Sequence, residues 1–291
     1  MQETATALTL PGEERYAQVL GEPVRYFRAG SGPPVVLLHG LGEAALVWFR
    51  NIPPLSEAFT VYAPDLLGHG RSGRPPRPYG PQAAAAFVLG FLDALGVPSA
   101  HLVGNSLGGL LALLTALEHP DRVRSLVLED SAGLGREVAG FLRGMVLPGI
   151  GEALARPSRK RLRRLLRILL YGPSTVPGPF LEGLYQERAR PGNARVMLQL
   201  LRAGTSFRGV KGAYVFRDRL SSLTTPTLVL WGRQDPIFPV AHGLEAARRL
   251  SRGQVHIFEE CGHWPHFERW EEFNRLVAEF FQEQEVRLAL G

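Results

Sequence analysis

Gly104-Asn105-Ser106-Leu107-Gly108-Gly109 stands between the apolar run His101-Leu102-Val103 and the helix-forming run Leu110 to Leu117. A serine in that setting sits on a strand-to-helix turn. The turn forces strained backbone angles on the serine, and its side chain clears the sheet only if the residues two before and two after it are small. Gly104 and Gly108 meet that demand. The following helix aims its first unpaired N–H groups at the same point, so the N–H of Leu107 is placed to stabilise negative charge on an attacked carbonyl oxygen. Glycine-rich turns also join strands to helices in non-catalytic α/β proteins, but a nucleophilic Ser106 is the sharper expectation.

A serine nucleophile needs a base, and the base needs an orienting carboxylate. Thr227 to Trp231 is a β-rich run leading through Gly232-Arg233-Gln234 to Asp235, which places Asp235 just beyond a strand. After a further short strand at Val255 to Phe258 comes Cys261-Gly262-His263-Trp264. The chain order Ser106, Asp235, His263 is the one expected when three loops meet at the carboxyl edge of a parallel sheet. Asp130, at the end of the run Ser125 to Glu129, is the rival acid, and His266 the rival base because it shares the His263 loop. His263 and His266 lack the spacing and third ligand of a zinc site, so no metal is expected, and His266 is read as a satisfied surface histidine. Cys261 is expected to be a small buried residue rather than a thiol nucleophile.

The second half of an oxyanion site is expected early in the chain. Val35 to Leu38 is a short buried-strand pattern followed directly by His39-Gly40-Leu41-Gly42. Glycines let the backbone approach a reacting centre, so the N–H of Leu41 can join that of Leu107. His39 is expected to hold the turn through its ring nitrogens.

Between Arg15 and Glu129 strand and helix patterns alternate, beginning with an antiparallel pair and continuing as an α/β rhythm. After Gly133 the rhythm fails for about 90 residues rich in glycine, proline and arginine-bearing helices, and it resumes at Thr227. This predicts a core of residues 1–132 and 223–291 carrying a helical cap, 133–222, over the strand ends. Phe141, Leu142, Met145, Val146, Leu181, Leu184 and Met197 are candidate wall residues of a substrate pocket. Of the chain's formal charge of +6, residues 133–222 hold 17 Lys and Arg against 5 Asp and Glu, and the rest holds 16 against 22. The basic character therefore belongs to the cap. Its centre, Arg159 to Leu170, puts Leu162, Leu165, Leu166 and Leu169 on one helical face and Arg159, Arg163 and Arg167 on another. A solvated cap helix is the favoured explanation, with contact to an anionic substrate or lipid interface through 159–170 as the alternative. No base-reading motif accompanies it, so no nucleic-acid partner is expected. Met1 to Arg15 lacks the pattern of a secretory signal, and no stretch approaches the ~20 apolar residues of a membrane span. Cytoplasmic residence is the expectation, as monomer or homodimer. The arginine bias, with only 2 lysines among 33 basic residues, fits either thermophily or genomic composition.

Five segments jointly resemble the α/β-hydrolase fold family: His39-Gly40-Leu41-Gly42, Asp65-Leu66-Leu67-Gly68-His69-Gly70-Arg71-Ser72, Gly104 to Gly109, Gly232-Arg233-Gln234-Asp235 and Gly262-His263-Trp264. The resemblance covers nearly the whole chain. It implies a mostly parallel eight-stranded sheet with a helical cap after the sixth strand, and catalysis by Ser106, Asp235 and His263 without a cofactor. Gly104 to Gly109 contains no GxGxxG, and no phosphate-binding GxxxxGK[ST] pattern occurs in the chain. The family's epoxide hydrolases and dehalogenases carry aspartate where this chain has Ser106. Asn105-Ser106 and His263-Trp264 are similar to motifs of carbon–carbon hydrolases acting on ring meta-cleavage products, and Asn51 after Trp48 resembles their oxyanion region. Those enzymes have a more glycine-rich first loop than Gly40-Leu41-Gly42-Glu43, and a cap arginine that binds substrate, for which Arg188 and Arg190 are available. The expectation is a carboxylesterase acting on a moderately hydrophobic ester. The alternatives are a carbon–carbon hydrolase acting on a ketone of the 2-hydroxy-6-oxo-dienoate type, and an inactive binding protein of the same fold.

Overall fold

The computed structural model describes residues 8–75, 81–172 and 176–290; the first part of the segment weighed as a signal lies outside the described residues. The main sheet is built from β1 (Glu13–Val19), β2 (Glu22–Ala29), β3 (Pro34–Leu38), β4 (Thr60–Pro64), β5 (Ala100–Asn105) and β6 (Val123–Glu129). A separate short antiparallel pair follows, β7 (Thr205–Ser206) with β8 (Gly209–Val210), and then β9 (Thr227–Gly232) and β10 (Gly253–Phe258) complete the main sheet. Eight strands lie in the order β1-β2-β4-β3-β5-β6-β9-β10. β2 pairs antiparallel with both β1 and β4, and every other neighbouring pair is parallel.

The central strands are apolar throughout because both faces are covered. Val35, Val36, Leu37 and Leu38 of β3, and Leu228 to Trp231 of β9, are all buried. On one side α2 (Pro81–Ala94; α1 is the single turn Ile52–Leu55) packs against α3 (Leu107–Glu118), which lies along β5 and β6. Five helices then occupy the stretch between β6 and β9: α4 (Gly140–Met145), α5 (Ile150–Ala155), α6 (Arg159–Leu169), α7 (Gly178–Arg188) and α8 (Asn193–Gly204). α9 (Val240–Arg249) covers β9 and β10, and after the turn α10 (Pro265–Glu268) the chain ends in α11 (Trp270–Leu290). Phe281 of α11 stacks on the buried His101 ring at 4.4 Å and meets Phe59 edge-on.

One difference from the sequence expectations is local. The stretch between β6 and β9 holds the β7–β8 pair as well as helices; these two-residue strands are too short to leave a period-2 pattern. The final helix, to which the α/β rhythm resuming at Thr227 assigns no end, runs to Leu290 and finishes as an exposed extension.

Topology locates the site. From β3 the chain crosses to β4 on one side and later to β5 on the other, so the sheet's switch point lies between β3 and β5. The carboxyl ends flanking such a point open a crevice that no crossover fills. The His39–Gly42 loop leaves β3 there, and Ser106 leaves β5.

Candidate active site

Ser106 has φ +54° and ψ −113°, a conformation that L-residues rarely adopt, and it is held there by close packing. A Cβ on Gly104 would lie 2.3 Å from the carbonyl oxygen of Gly108, and one on Gly108 would lie 2.0 Å from that of Leu38. The two glycines therefore let strand, turn and helix approach at backbone distance. Leu110 N and Ala132 N both donate to the Ser106 carbonyl, and Ser106 N donates to Glu129 O.

Ser106 and His263 border one cavity of about 550 Å³, together with Leu41 and Leu107. Neither the N–H of Leu41 nor that of Leu107 donates to a described residue, so both remain available to an oxygen in the cavity. Asp235 lies directly behind His263, its Oδ2 accepting from Nδ1 at 2.9 Å, while its Oδ1 accepts from Ile237 N at 2.7 Å. The structure thus joins Asp235 to His263 and puts Ser106 on the same cavity wall; no hydrogen bond links Ser106 to His263 among the described residues. Catalytic contacts of this kind commonly tighten only once substrate is bound. Burial works against the charged imidazolium of His263, but Asp235, then Glu43 and Glu129, outweigh it and hold the pKa above the ordinary histidine value.

His39 holds its turn as expected. Leu66 N donates to Nε2 at 3.0 Å, so Nδ1 carries the proton and donates to Gly40 O at 2.8 Å. Burial lowers the pKa of this ring to about 4, keeping it neutral. Cys261 is buried, and burial first, then nearby carboxylates, push its thiol up and out of reach of ionisation.

Several residues fall elsewhere than expected. His266 is fully buried, not a surface residue: both its N–H and its Nδ1 bond to Glu129 Oε1, at 2.7 and 2.8 Å, and its ring stacks on Trp48. It forms a second histidine–carboxylate pair beneath the site and does not compete with His263 as base. Asn51 donates to His266 O and Asn274 Oδ1, and it is absent from the cavity wall, so its likeness to an oxyanion region does not carry over. Asp130 is not a distant rival to Asp235 but its neighbour: ligand atoms of Asp130, Asp235 and His263 all lie within 4.8 Å of one another. Phe141, Leu142, Met145, Leu184 and Met197 line the cavity; Val146 and Leu181 pack elsewhere.

Glu43 was quoted in the first loop but given no role. It is buried, with Oε2 accepting from Gly40 N at 2.7 Å and Oε1 accepting from Trp264 Nε1 at 3.0 Å, so it ties the β3 loop to the His263 loop. The signal was its place three residues after Gly40, where a side chain can close a turn on the backbone. Arg188, at the end of α7, donates to Gly42 O and borders the cavity without an ion pair among the described residues, while Arg190 is paired with Glu187 at 2.6 Å. Burial lowers the Arg188 pKa, and Glu43 opposes that shift.

An exposed nucleophile turn, a carboxylate-held imidazole and two unpaired N–H groups around an apolar cavity can form, stabilise and break a tetrahedral adduct of a carbonyl carbon. The family model of the alpha/beta hydrolase fold matches residues 33–269, and the chain belongs to that family of hydrolases. Among its relatives, it is 34% identical over 270 residues to a 2-hydroxy-6-oxo-6-phenylhexa-2,4-dienoate hydrolase of Comamonas testosteroni, covering 90% of this chain and 92% of that one. Among solved structures it resembles a meta-cleavage product hydrolase of Pseudomonas fluorescens IP01 with TM-score 0.81 and 32% identity, covering 92% and 97% of the two chains. A bacterial membrane phospholipase A superposes with TM-score 0.80 at 31% identity, covering 94% and 86%. The expected preference for carboxylic esters gives way accordingly: the carbon–carbon hydrolases are the better match.

Proposed function

We propose that the protein is a serine hydrolase that cleaves the carbon–carbon bond beside the ketone of a 2-hydroxy-6-oxo-dienoate, with residues 133–222 as its cap. The observation that carries this reading is Arg188, a cation without a carboxylate partner on the wall of a mainly apolar cavity, next to the loop that offers the Leu41 N–H. A neutral ester gives such a group nothing to pair with. A dienoate brings a carboxylate and, after loss of a proton, an enolate oxygen, both suited to the planar donor fork of arginine.

Carbon is a poor leaving group, so the bond breaks only if the departing carbanion is delocalised. Moving a proton from the 2-hydroxyl to C5 gives a 2-oxo-3-ene whose C5–C6 bond can break with its electron pair spread to the 2-oxygen. Ser106 then attacks C6 as His263 takes its proton, and the N–H groups of Leu41 and Leu107 receive the oxyanion. Collapse expels the dienolate, whose charge Arg188 steadies until the His263 imidazolium returns its proton to it and the ring is neutral again. Water, deprotonated by His263, attacks the acyl-serine and releases the acid. Asp235 holds the imidazole in the required tautomer throughout.

Ester hydrolysis is the second reading, supported by the apolar wall and the phospholipase likeness. Purified enzyme supplied in parallel with 2-hydroxy-6-oxo-6-phenylhexa-2,4-dienoate and p-nitrophenyl acyl esters separates the two. Turnover of the dienoate is expected, with Arg188→Ala lowering its kcat/KM by about 100-fold, an unpaired buried anion costing ~3 kcal/mol, and affecting the esters far less. Fast ester turnover with an inert dienoate overturns the proposal.

A further inference from the structure

Asp130 and Asp235 leave adjacent parallel strands, β6 and β9, and their side chains converge on the same imidazole. Asp130 is fully buried at the unusual φ of +41°. Its Oδ1 accepts from Gly232 N at 3.1 Å, and its Oδ2 is buried without a conventional donor. The titratable groups around it are Asp235, Glu129, His263 and Cys261, with His266 engaged on the far side by Glu129. No arginine or lysine pairs with Asp130 among the described residues. Two carboxylates this close in a buried setting do not both ionise. Both oxygens of Asp235 already accept one hydrogen bond and each keeps capacity for a second, whereas the orphaned Oδ2 of Asp130 is satisfied at once if it carries a proton and donates it.

We propose that Asp130 is a positioning residue carried as the neutral carboxylic acid, donating its O–H to Asp235, so that the two strand ends present His263 with a single shared negative charge. The direction of the Asp130 pKa agrees: burial first, then Asp235 and Glu129, raise it well above the ordinary carboxylate value. The arrangement does two things for the imidazole. It gives Asp235 a further partner besides His263 and Ile237, and it keeps the opposing charge at one unit, so that His263 is not held more strongly in its protonated form.

This inference rests on the roles proposed for Ser106, His263 and Asp235, and it is tested without any choice of substrate. The rate at which a fluorophosphonate labels Ser106 is measured against pH for the native protein, Asp130→Asn and Asp130→Ala, with Ser106→Ala as the blank. Asparagine keeps a donor towards Asp235 and stays neutral. The acid limb of its labelling profile is expected within about 0.3 unit of native, with a rate reduced about 3-fold; alanine, lacking the donor, is expected at least ~10-fold below asparagine. An acid limb in Asp130→Asn displaced downward by about one unit means that a negative charge was removed, and it overturns the proposal. Equal rates for asparagine and alanine overturn it too. Should the variants fail to fold, infrared spectra of native protein with and without ¹³C-aspartate decide the matter. A protonated-carboxyl band that shifts with the isotope at neutral pH supports the shared proton, and its absence overturns it. Failure of native protein to label strikes at the role of Ser106, whereas the infrared band reports on a protonated aspartate whatever Ser106 does.

Discussion

At Ser106 the backbone is strained and the hydroxyl has no partner among the described residues, which is the state of a group kept ready rather than one used to hold the fold together. The glycines on either side were readable from sequence because their requirement is steric and local. A methyl on Gly108 would have to displace the Leu38 carbonyl of a central strand. Gly108→Ala is expected to cost about 3 kcal/mol of stability by overpacking and to abolish fluorophosphonate labelling; thermal melts and labelling check the two outcomes. His263 gives a prediction in pH. A base with a raised pKa is protonated, and idle, over a wider acid range, so the acid limb of kcat/KM is expected above the ordinary histidine value of about 6.5. An acid limb below that value would count against the charge environment described for the ring. The partners of His263 were legible in part. Asp235 follows a strand and a polar turn, a pattern visible in one dimension, and Asp130 ends a strand in the same way, but that both carboxylates meet one imidazole emerges only in the folded sheet.

Among the elements, α6 shows how far periodicity carries. Leu162, Leu166 and Leu169 are buried as the spacing requires, and Ser158 caps the first turn by accepting from Arg161 N. The same helix places Arg159, Lys160 and Arg161 at its N-terminus, where the peptide dipoles already present positive charge. Lys160 is exposed and outside the site, so Lys160→Glu is expected to stabilise the protein by about 0.5 kcal/mol, as a rise in melting temperature with labelling unaffected. The C-terminal end of α6 meets the His263 loop: His263 N donates to Leu169 O at 2.8 Å, and Glu268 accepts from Gly262 N at 2.8 Å and Tyr171 N at 2.6 Å. Burial raises the Glu268 pKa to about 7, so its ionised form destabilises the folded protein relative to the unfolded one. Stability from this group is full below the unfolded carboxylate range and falls as pH rises towards 7, opposite to the usual carboxylate. No periodicity announces such a contact. His266 was misplaced for a related reason: a polar residue three after a proposed base reads as loop surface until the buried Glu129 beneath it is known.

For the molecule as a whole, the strands were legible as recurring apolar runs, since a parallel sheet covered on both faces leaves continuous buried segments in sequence, but their order in the sheet was not. What joins the helices over the site to that sheet was not legible. Arg25 of β2, buried, bonds Asp65 Oδ2 at 2.8 Å and Glu187 Oε1 at 3.1 Å, and Glu187 of α7 also takes Arg71 and Arg190. Bonded partners here lie up to 162 positions apart, and each looks like ordinary surface charge in the sequence. Burial works against ionised Glu187, but Arg25, Arg190 and Arg71 together lower its pKa. Its contribution is therefore present above the ordinary glutamate range and lost as pH falls through the lowered value. Glu187→Ala is expected to cost about 2 kcal/mol, read as a lower denaturant midpoint, because Arg25 then keeps only Asp65. Arg188 is the next residue of α7 and keeps its bond to Gly42 O, but with α7 less firmly held the Michaelis constant for a dienoate should rise more than that for an ester.

That four-way ion cluster also decides where traffic can flow. With α7 pinned to β2 beside the sheet, the roof over Ser106 is not a door swinging on two hinges. Leu154, Arg161 and Ile168 are exposed and border the cavity, so a substrate moving between solvent and cavity is expected to meet them, as at a doorway. Rotations of such exposed side chains take nanoseconds or less, against microseconds for the swing of a whole lid. Bulk added at that doorway, rather than stiffening of the connections around it, is what would throttle entry.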